Sequence, residues 1–213
     1  MTRYDISIAY ADTTPPWPGD TPYSCGWAWD MAQGASVTVG RVTTSWHVGT
    51  HADAPRHVSL SGHTSDALPL AAFSGHAVVL DASDANTGPS ITTDWLSTAL
   101  DGQRLPERLL LKTGCSIAAG VFPDAWPVLT AEAAAWLVRG GLRLFGVDTP
   151  SVDARTATDL VVHHALFGGG AYVLENLDLS RVPVGAYQLT AYPVLVTGAD
   201  AAPVRAVLDA LDS

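Results

Sequence analysis

Three histidines and an aspartate stand within the segment His47-Val48-Gly49-Thr50-His51-Ala52-Asp53-Ala54-Pro55-Arg56-His57. Gly49 and Pro55 argue against a helix here, and in an extended chain residues 47, 51, 53 and 57 share parity, so their side chains can project to one side. Two imidazoles and a carboxylate on so short a path offer the N and O donors that zinc, manganese or iron accept, at little entropic cost of assembly. A single histidine on a strand face is commonly a satisfied polar group. The 4-2-4 spacing of four such groups, in a chain with 7 histidines, points instead to a site. An open catalytic site with two cations needs further donors from distant sequence. The pair His163-His164, within the helix candidate 159–166, offers one imidazole. Glu175 lies 12 residues past His163, beyond the turn Gly168-Gly169-Gly170, at the end of an apolar strand. A carboxylate there is either a solvated strand end or a group that meets a cation.

Other catalytic signatures are missing from the sequence: no Gly-x-Ser-x-Gly, no phosphate-binding glycine loop and no His-Glu-x-x-His. The formal charge of -10 comes from 21 acidic against 11 basic residues, and the basic ones are scattered, so nucleic acid is not an expected partner. Two divalent cations would offset about 4 of those negative charges. Cys25 and Cys115 have no short spacing and no adjacent histidine, and read as small buried apolar residues. The first residues lack the run of about 7 to 15 apolar residues of a secretory signal, and no later run is long enough to span a bilayer. No membrane partner is expected, and the cytoplasm is the expected compartment.

The elements that must position these groups change character along the chain. Residues 1 to 60 hold four of the seven tryptophans, Trp17, Trp27, Trp29 and Trp46, and the proline-rich turn 15–20, a rigid exposed loop. Trp27, Trp29 and Trp46 read more readily as core packing than as pocket lining. Residues 36–44 are rich in β-branched types and read as a strand leading into the histidines. Further strands are expected at 77–81, 108–113, 143–147, 171–175 and 187–197. Helices are expected at 92–100, opened by Thr92 or Thr93; at 130–139, opened by Thr130 and closed by Gly140-Gly141; at 157–166; and at 202–211. A length of 213 residues with 47% hydrophobic and 15% charged content suits one globular domain, 1–213. The order of elements implies an α/β protein with a mixed β-sheet core and flanking helices.

With these residues in view, the chain resembles the bacterial kynurenine formamidases (arylformamidases), within the cyclase-like metal-dependent hydrolases marked by His-x-Gly-Thr-His-x-Asp-x-Pro-x-His. The likeness also takes in Trp17-Pro18-Gly19-Asp20, the block 146–153, Leu174-Glu175-Asn176-Leu177 and the segment 198–205, and so nearly the whole chain. It implies a swivelling β/β/α-type cyclase-like fold and a homodimer. It places His47, His51 and Asp53 on one metal, Asp53 and Glu175 as bridges, and His163 on the second metal, the member of the doubled pair chosen by its spacing to Glu175. His57 is then the proton donor and acceptor, and Trp17 contacts an aromatic substrate. Asp148 and Asp153 are expected to organise a loop near the site rather than to catalyse.

The chemistry so implied is hydrolysis of an aromatic formamide, N-formyl-L-kynurenine to L-kynurenine and formate, in tryptophan degradation. Two divalent ions lower the pKa of water towards about 7 and polarise the formyl oxygen, while His57 takes a proton and returns it to the departing amine. Zinc suits these donors best, and manganese is compatible. The rival readings are a sister hydrolase opening a cyclic amide or ester of the isatin type, and a non-catalytic protein with a structural metal.

Overall fold

The computed structural model describes residues 2–83 and 90–211. In chain order its elements are β1 (Arg3–Asp5), β2 (Ser24–Trp29), β3 (Val39–Thr43), β4 (His51–Asp53), β5 (Ser74–Asp81), β6 (Ser90–Ile91), α1 (Thr93–Ala99), β7 (Arg108–Lys112), β8 (Val128–Leu129), α2 (Ala131–Arg139), β9 (Leu144–Val147), α3 (Val161–Gly168), β10 (Tyr172–Glu175), β11 (Gly185–Thr190), β12 (Ala201–Pro203) and β13 (Val207–Ala210). Nine of the strands form one mixed sheet in the order β1-β13-β11-β5-β7-β9-β10-β4-β12. Its centre, β5-β7-β9-β10, is parallel, and the strands flanking that centre run antiparallel. This is the mixed α/β architecture expected from the sequence. Among the described residues no helix is long and apolar enough to cross a membrane.

Parallel strands buried on both faces carry continuous apolar runs, and Leu109-Leu110-Leu111 of β7 is such a run, fully buried. Leu110 packs on one side of the sheet with Phe73, Leu174 and Leu177. Leu109 and Leu111 pack on the other side with Leu137, Phe145, Leu166 and Val173, beneath α2 and α3. Helices α1 and α2 begin where a threonine hydroxyl accepts a backbone N–H of the first turn: Thr92 from Trp95, and Thr130 from Ala133.

Five expectations are corrected. Residues 202–211 hold the end of β12 and the whole of β13 rather than a helix, because Val204, Ala206 and Leu208 are buried in alternation with the more exposed Arg205, Val207 and Asp209, a period of two. The strand expected at 187–197 ends at Thr190. The helix expected at 157–166 starts at Val161, because its first N–H donors are taken up by Asp153, well back in sequence: Val162 and His163 donate to that carboxylate at 3.0 and 3.1 Å. Trp27 and Trp29 are 60% and 62% exposed on the β2–β3 hairpin, and Trp46 is exposed too, so none is a core residue; Cys25 is exposed and Cys115 half-buried. Among the described residues that hairpin forms a separate two-stranded sheet outside the nine-stranded one, and its tryptophan rings face solvent.

Candidate metal centre and pocket

Strand register brings the distant donors together. In the antiparallel β4–β10 pair Glu175 stands opposite His51, and in the β4–β12 pair Asp53 stands opposite Ala201. Residues two apart share a face, so His51, Asp53 and Glu175 all look toward α3, whose first turn carries His163. His47 arrives differently from the expectation of one extended segment. Only 51–53 is strand; residues 46–50 turn, with Gly49 at φ +68, and 55–57 form a short 3-10 turn. The turn folds His47 back onto its neighbours, which parity alone would not achieve.

Two groups of donors result, sharing both carboxylates. Asp53 Oδ1 lies 3.2 Å from His47 Nδ1 and 3.2 Å from His51 Nε2, and those two nitrogens are 3.2 Å apart. Asp53 Oδ2 lies 3.3 Å from His163 Nε2. Glu175 presents Oε2 to His51 Nε2 at 3.5 Å and Oε1 to His163 Nε2 at 3.4 Å. His51, Asp53, His163 and Glu175 are buried, and His47 is nearly so. The exposed ring of His164 leaves His163 as the member of the pair that reaches the cluster.

The outward nitrogens of the inner rings are each committed. His51 Nδ1 is 3.0 Å from the Gly49 carbonyl, which can only accept, so this nitrogen carries the proton of the neutral ring and Nε2 is the position left for a cation or a second proton. His163 Nδ1 stands 2.7 Å from Asp153 Oδ2. Asp148, by contrast, accepts from the backbone N–H groups of Thr113 and Gly114 and from the Thr113 hydroxyl, and so braces the loop after β7.

The donor set fits divalent cations. Asp53 Oδ1 is buried without a hydrogen-bond donor, a costly state that a cation relieves. Ligand atoms of a tetrahedral zinc ion at about 2.0–2.1 Å lie roughly 3.3 Å apart, close to the separations here. His51, Asp53 and Glu175 form one compact triad of donor atoms, and His47, Asp53 and His57 form another. Without a cation, protons take its place. Burial opposes charging His51, yet Asp53 and Glu175 raise its pKa to about 10. Burial likewise opposes charge on His47, and Asp200 and Asp53 raise it to about 9. His163 is raised well above its ordinary value: burial works against it, and Asp153, Asp53 and Glu175 outweigh burial. Burial pushes Asp53 and Glu175 upward, but the facing imidazoles bring both below the usual carboxylate range.

A cavity of about 250 Å³ opens beside the cluster, lined by Trp17, Phe122, His57, Leu160, His163 and Asn176 among others. The turn at 17–20, closed by an Asp20 N–H to Trp17 carbonyl bond of 2.9 Å, holds Trp17 edge-on to Phe122 and Trp126, with centroids at 5.4 and 6.1 Å. Trp126 donates to the Asp153 carbonyl at 2.9 Å, tying this aromatic wall to the residue that braces His163. His57 sits at the cavity rim, its ring 4.3 Å from that of His47. Sequence reasoning takes in Asp200 only as part of the segment 198–205 and gives it no role, yet its Oδ2 lies 3.1 Å from His47 Nε2 and 3.6 Å from His57 Nδ1. It also passed over Phe122, which no motif marks.

Residues 4–154 match the family model described as "Cyclase: Putative cyclase". The kynurenine formamidase of Bordetella avium (strain 197N) is 40% identical over 205 residues, 96% of each chain. That of Bacillus mycoides (strain KBAB4) is 42% identical over 96% of this chain and 95% of its own. Among solved structures, a "predicted metal-dependent hydrolase" from Bacillus stearothermophilus superposes with a TM-score of 0.81 at 28% identity, covering 97% of both chains. Isatin hydrolase A from Labrenzia aggregata superposes at 0.79 with 23% identity, covering 97% of this chain and 93% of its own, a likeness of fold alone.

Proposed function

The chain belongs to the cyclase family, with kynurenine formamidases among its near-full-length relatives, and from that premise we propose that it hydrolyses the formamide bond of N-formyl-L-kynurenine to L-kynurenine and formate. The likeness to kynurenine formamidases over 96% of the chain carries the substrate assignment; the buried donor cluster beside an aromatic-walled cavity supports the chemistry.

In this reading His47, His51 and Asp53 would hold one divalent ion and His163 a second, with Asp53 and Glu175 facing both groups, and zinc would suit these donors best with manganese compatible. Bound there, divalent ions would supply Lewis acidity towards a carbonyl oxygen and would make a water more acidic near neutral pH. The protein's own groups do the rest. Trp17, on its short turn, stacks on the substrate ring with little ordering cost. His57 accepts a proton from the attacking water and gives it to the aryl nitrogen as the C–N bond breaks, so the products are the neutral amine and formic acid, which releases its remaining proton to solvent and leaves as formate. Residues 1–213 act as one catalytic domain, which is supported by a sheet that takes strands from both ends of the chain. The protein works as a cytoplasmic homodimer, and the exposed Trp27 and Trp29 are the kind of surface that interfaces bury.

Turnover of N-formyl-L-kynurenine measured beside a cyclic amide such as isatin tests the substrate assignment; faster opening of the cyclic amide by the metal-loaded protein would overturn it. Metal analysis of a His57→Ala variant tests the roles. The expected result is full metal content with a rate lowered roughly 10²- to 10⁴-fold, whereas loss of a metal equivalent would make His57 a ligand.

A further inference from the structure

We propose that Asp200 is a positioning residue that fixes the proton-bearing nitrogen of both His47 and His57 through one carboxylate oxygen. The inference rests on the reading of His57 as the proton carrier. Asp200 Oδ2 is 3.1 Å from His47 Nε2 and 3.6 Å from His57 Nδ1, and the two rings are tilted 41° to each other with centroids 4.3 Å apart. A carboxylate only accepts, so the His47 nitrogen hydrogen-bonded to it carries the proton, while His57 Nδ1, beyond hydrogen-bond length but within ion-pair reach of the same oxygen, is electrostatically favoured as the proton-bearing nitrogen; in each ring the opposite nitrogen then keeps a lone pair. For His47 the opposite nitrogen is Nδ1, the atom that meets Asp53 and His51. For His57 it is Nε2, left free to take the proton of water and pass it on. One oxygen thereby sets opposite polarities on two adjacent rings, each the one its task requires.

The position of Asp200 is itself set by the strands that place the donors. Its carbonyl accepts from Ala54 N–H at 2.9 Å, and the next residue, Ala201, stands opposite Asp53 in the β4–β12 pair. These are main-chain ties, and the side chain is 43% exposed, so truncating the carboxylate leaves the fold its hydrogen bonds.

The test uses the zinc-loaded wild type with Asp200→Ala and Asp200→Glu, and a series of aryl formamides whose leaving amines differ in basicity. Asp200→Ala is expected to lower kcat roughly 10- to 100-fold with KM within about threefold, and the penalty is expected to grow with the basicity of the leaving amine, because a disordered His57 fails most where protonation matters most. Asp200→Glu should recover part of the loss. Long-range 1H–15N spectra should place the His57 proton on Nδ1 in the wild type and not in Asp200→Ala. An equal penalty across the series, or an unchanged ring-proton assignment, would overturn the proposal. If the wild type hydrolyses no formamide, the functional reading falls, and the spectra still decide the role of Asp200.

Discussion

Asp53 divides its two oxygens between separate imidazole groups, and Glu175 does the same from the neighbouring strand. Removing either carboxylate should therefore unsettle both donor groups at once, whereas removing an outer partner should weaken only one. Asp153→Asn is the sharper probe, since His163 Nδ1 loses a charged acceptor at 2.7 Å while its Nε2 still faces Asp53 and Glu175. Competition with a chelator should show metal affinity reduced roughly 10- to 100-fold; an affinity equal to wild type would mean that Asp153 serves only to cap α3. Asp53→Ala should bind no ion tightly, as read by metal content after gel filtration. Residue type and spacing point to a site at His51 and Asp53, and Glu175 stands out as a carboxylate at the end of an apolar strand, while the particular role of each comes from the family resemblance. Asp200, part of the family-like segment 198–205, carries no assigned role for the opposite reason. It stands two residues after Gly198 in a loop-like stretch, where an aspartate is unremarkable until the β4–β12 pairing brings it against His47.

At the scale of elements, local signals served where local forces decide. Thr92 and Thr130 mark their helix starts, and the leucine run 109–111 marks a central strand. They failed where a remote partner decides. Asp153 moves the start of α3, and residues 202–211 become strands because β4 and β11 offer edges to pair with. The turn at Gly49 belongs to the same class: its φ of +68 aims His47 at the cluster, and an added Cβ would meet Tyr10 at 3.1 Å and the Ile8 carbonyl at 3.2 Å. Gly49→Ala should cost about 1–3 kcal/mol from the left-handed backbone and the crowding together, read as a lower denaturant midpoint. It should also weaken metal binding, because any relaxation of the turn displaces His47. Unchanged stability with unchanged metal affinity would show that the turn tolerates a side chain and that His47 is held by other contacts.

For the molecule as a whole, the buried cluster makes stability depend on what neutralises it. In the metal-free protein that task falls to protons on His47, His51 and His163. Their folded-state pKa values lie above the ordinary 6.5, at about 9 for His47 and about 10 for His51. The stabilisation they bring is therefore fully present below about pH 6.5 and is lost as pH rises towards 9 and 10, at up to roughly 1.4 kcal/mol per pH unit for each titrating ring. Asp53, Glu175 and Asp153 are shifted the other way, so their contribution is present above the ordinary carboxylate range and disappears on acidification. Thermal melts of chelator-stripped protein should thus peak between about pH 5 and 6.5 and decline on either side. Zinc-loaded protein should lack the alkaline decline, because the ion takes over from the protons and binds best to neutral imidazoles. The gap in Tm between the two forms should accordingly widen from pH 6.5 to 9, at roughly 2–4 °C for each kcal/mol. A metal-free melting curve that stays flat over that interval would mean that the imidazoles are not the groups holding the carboxylates together.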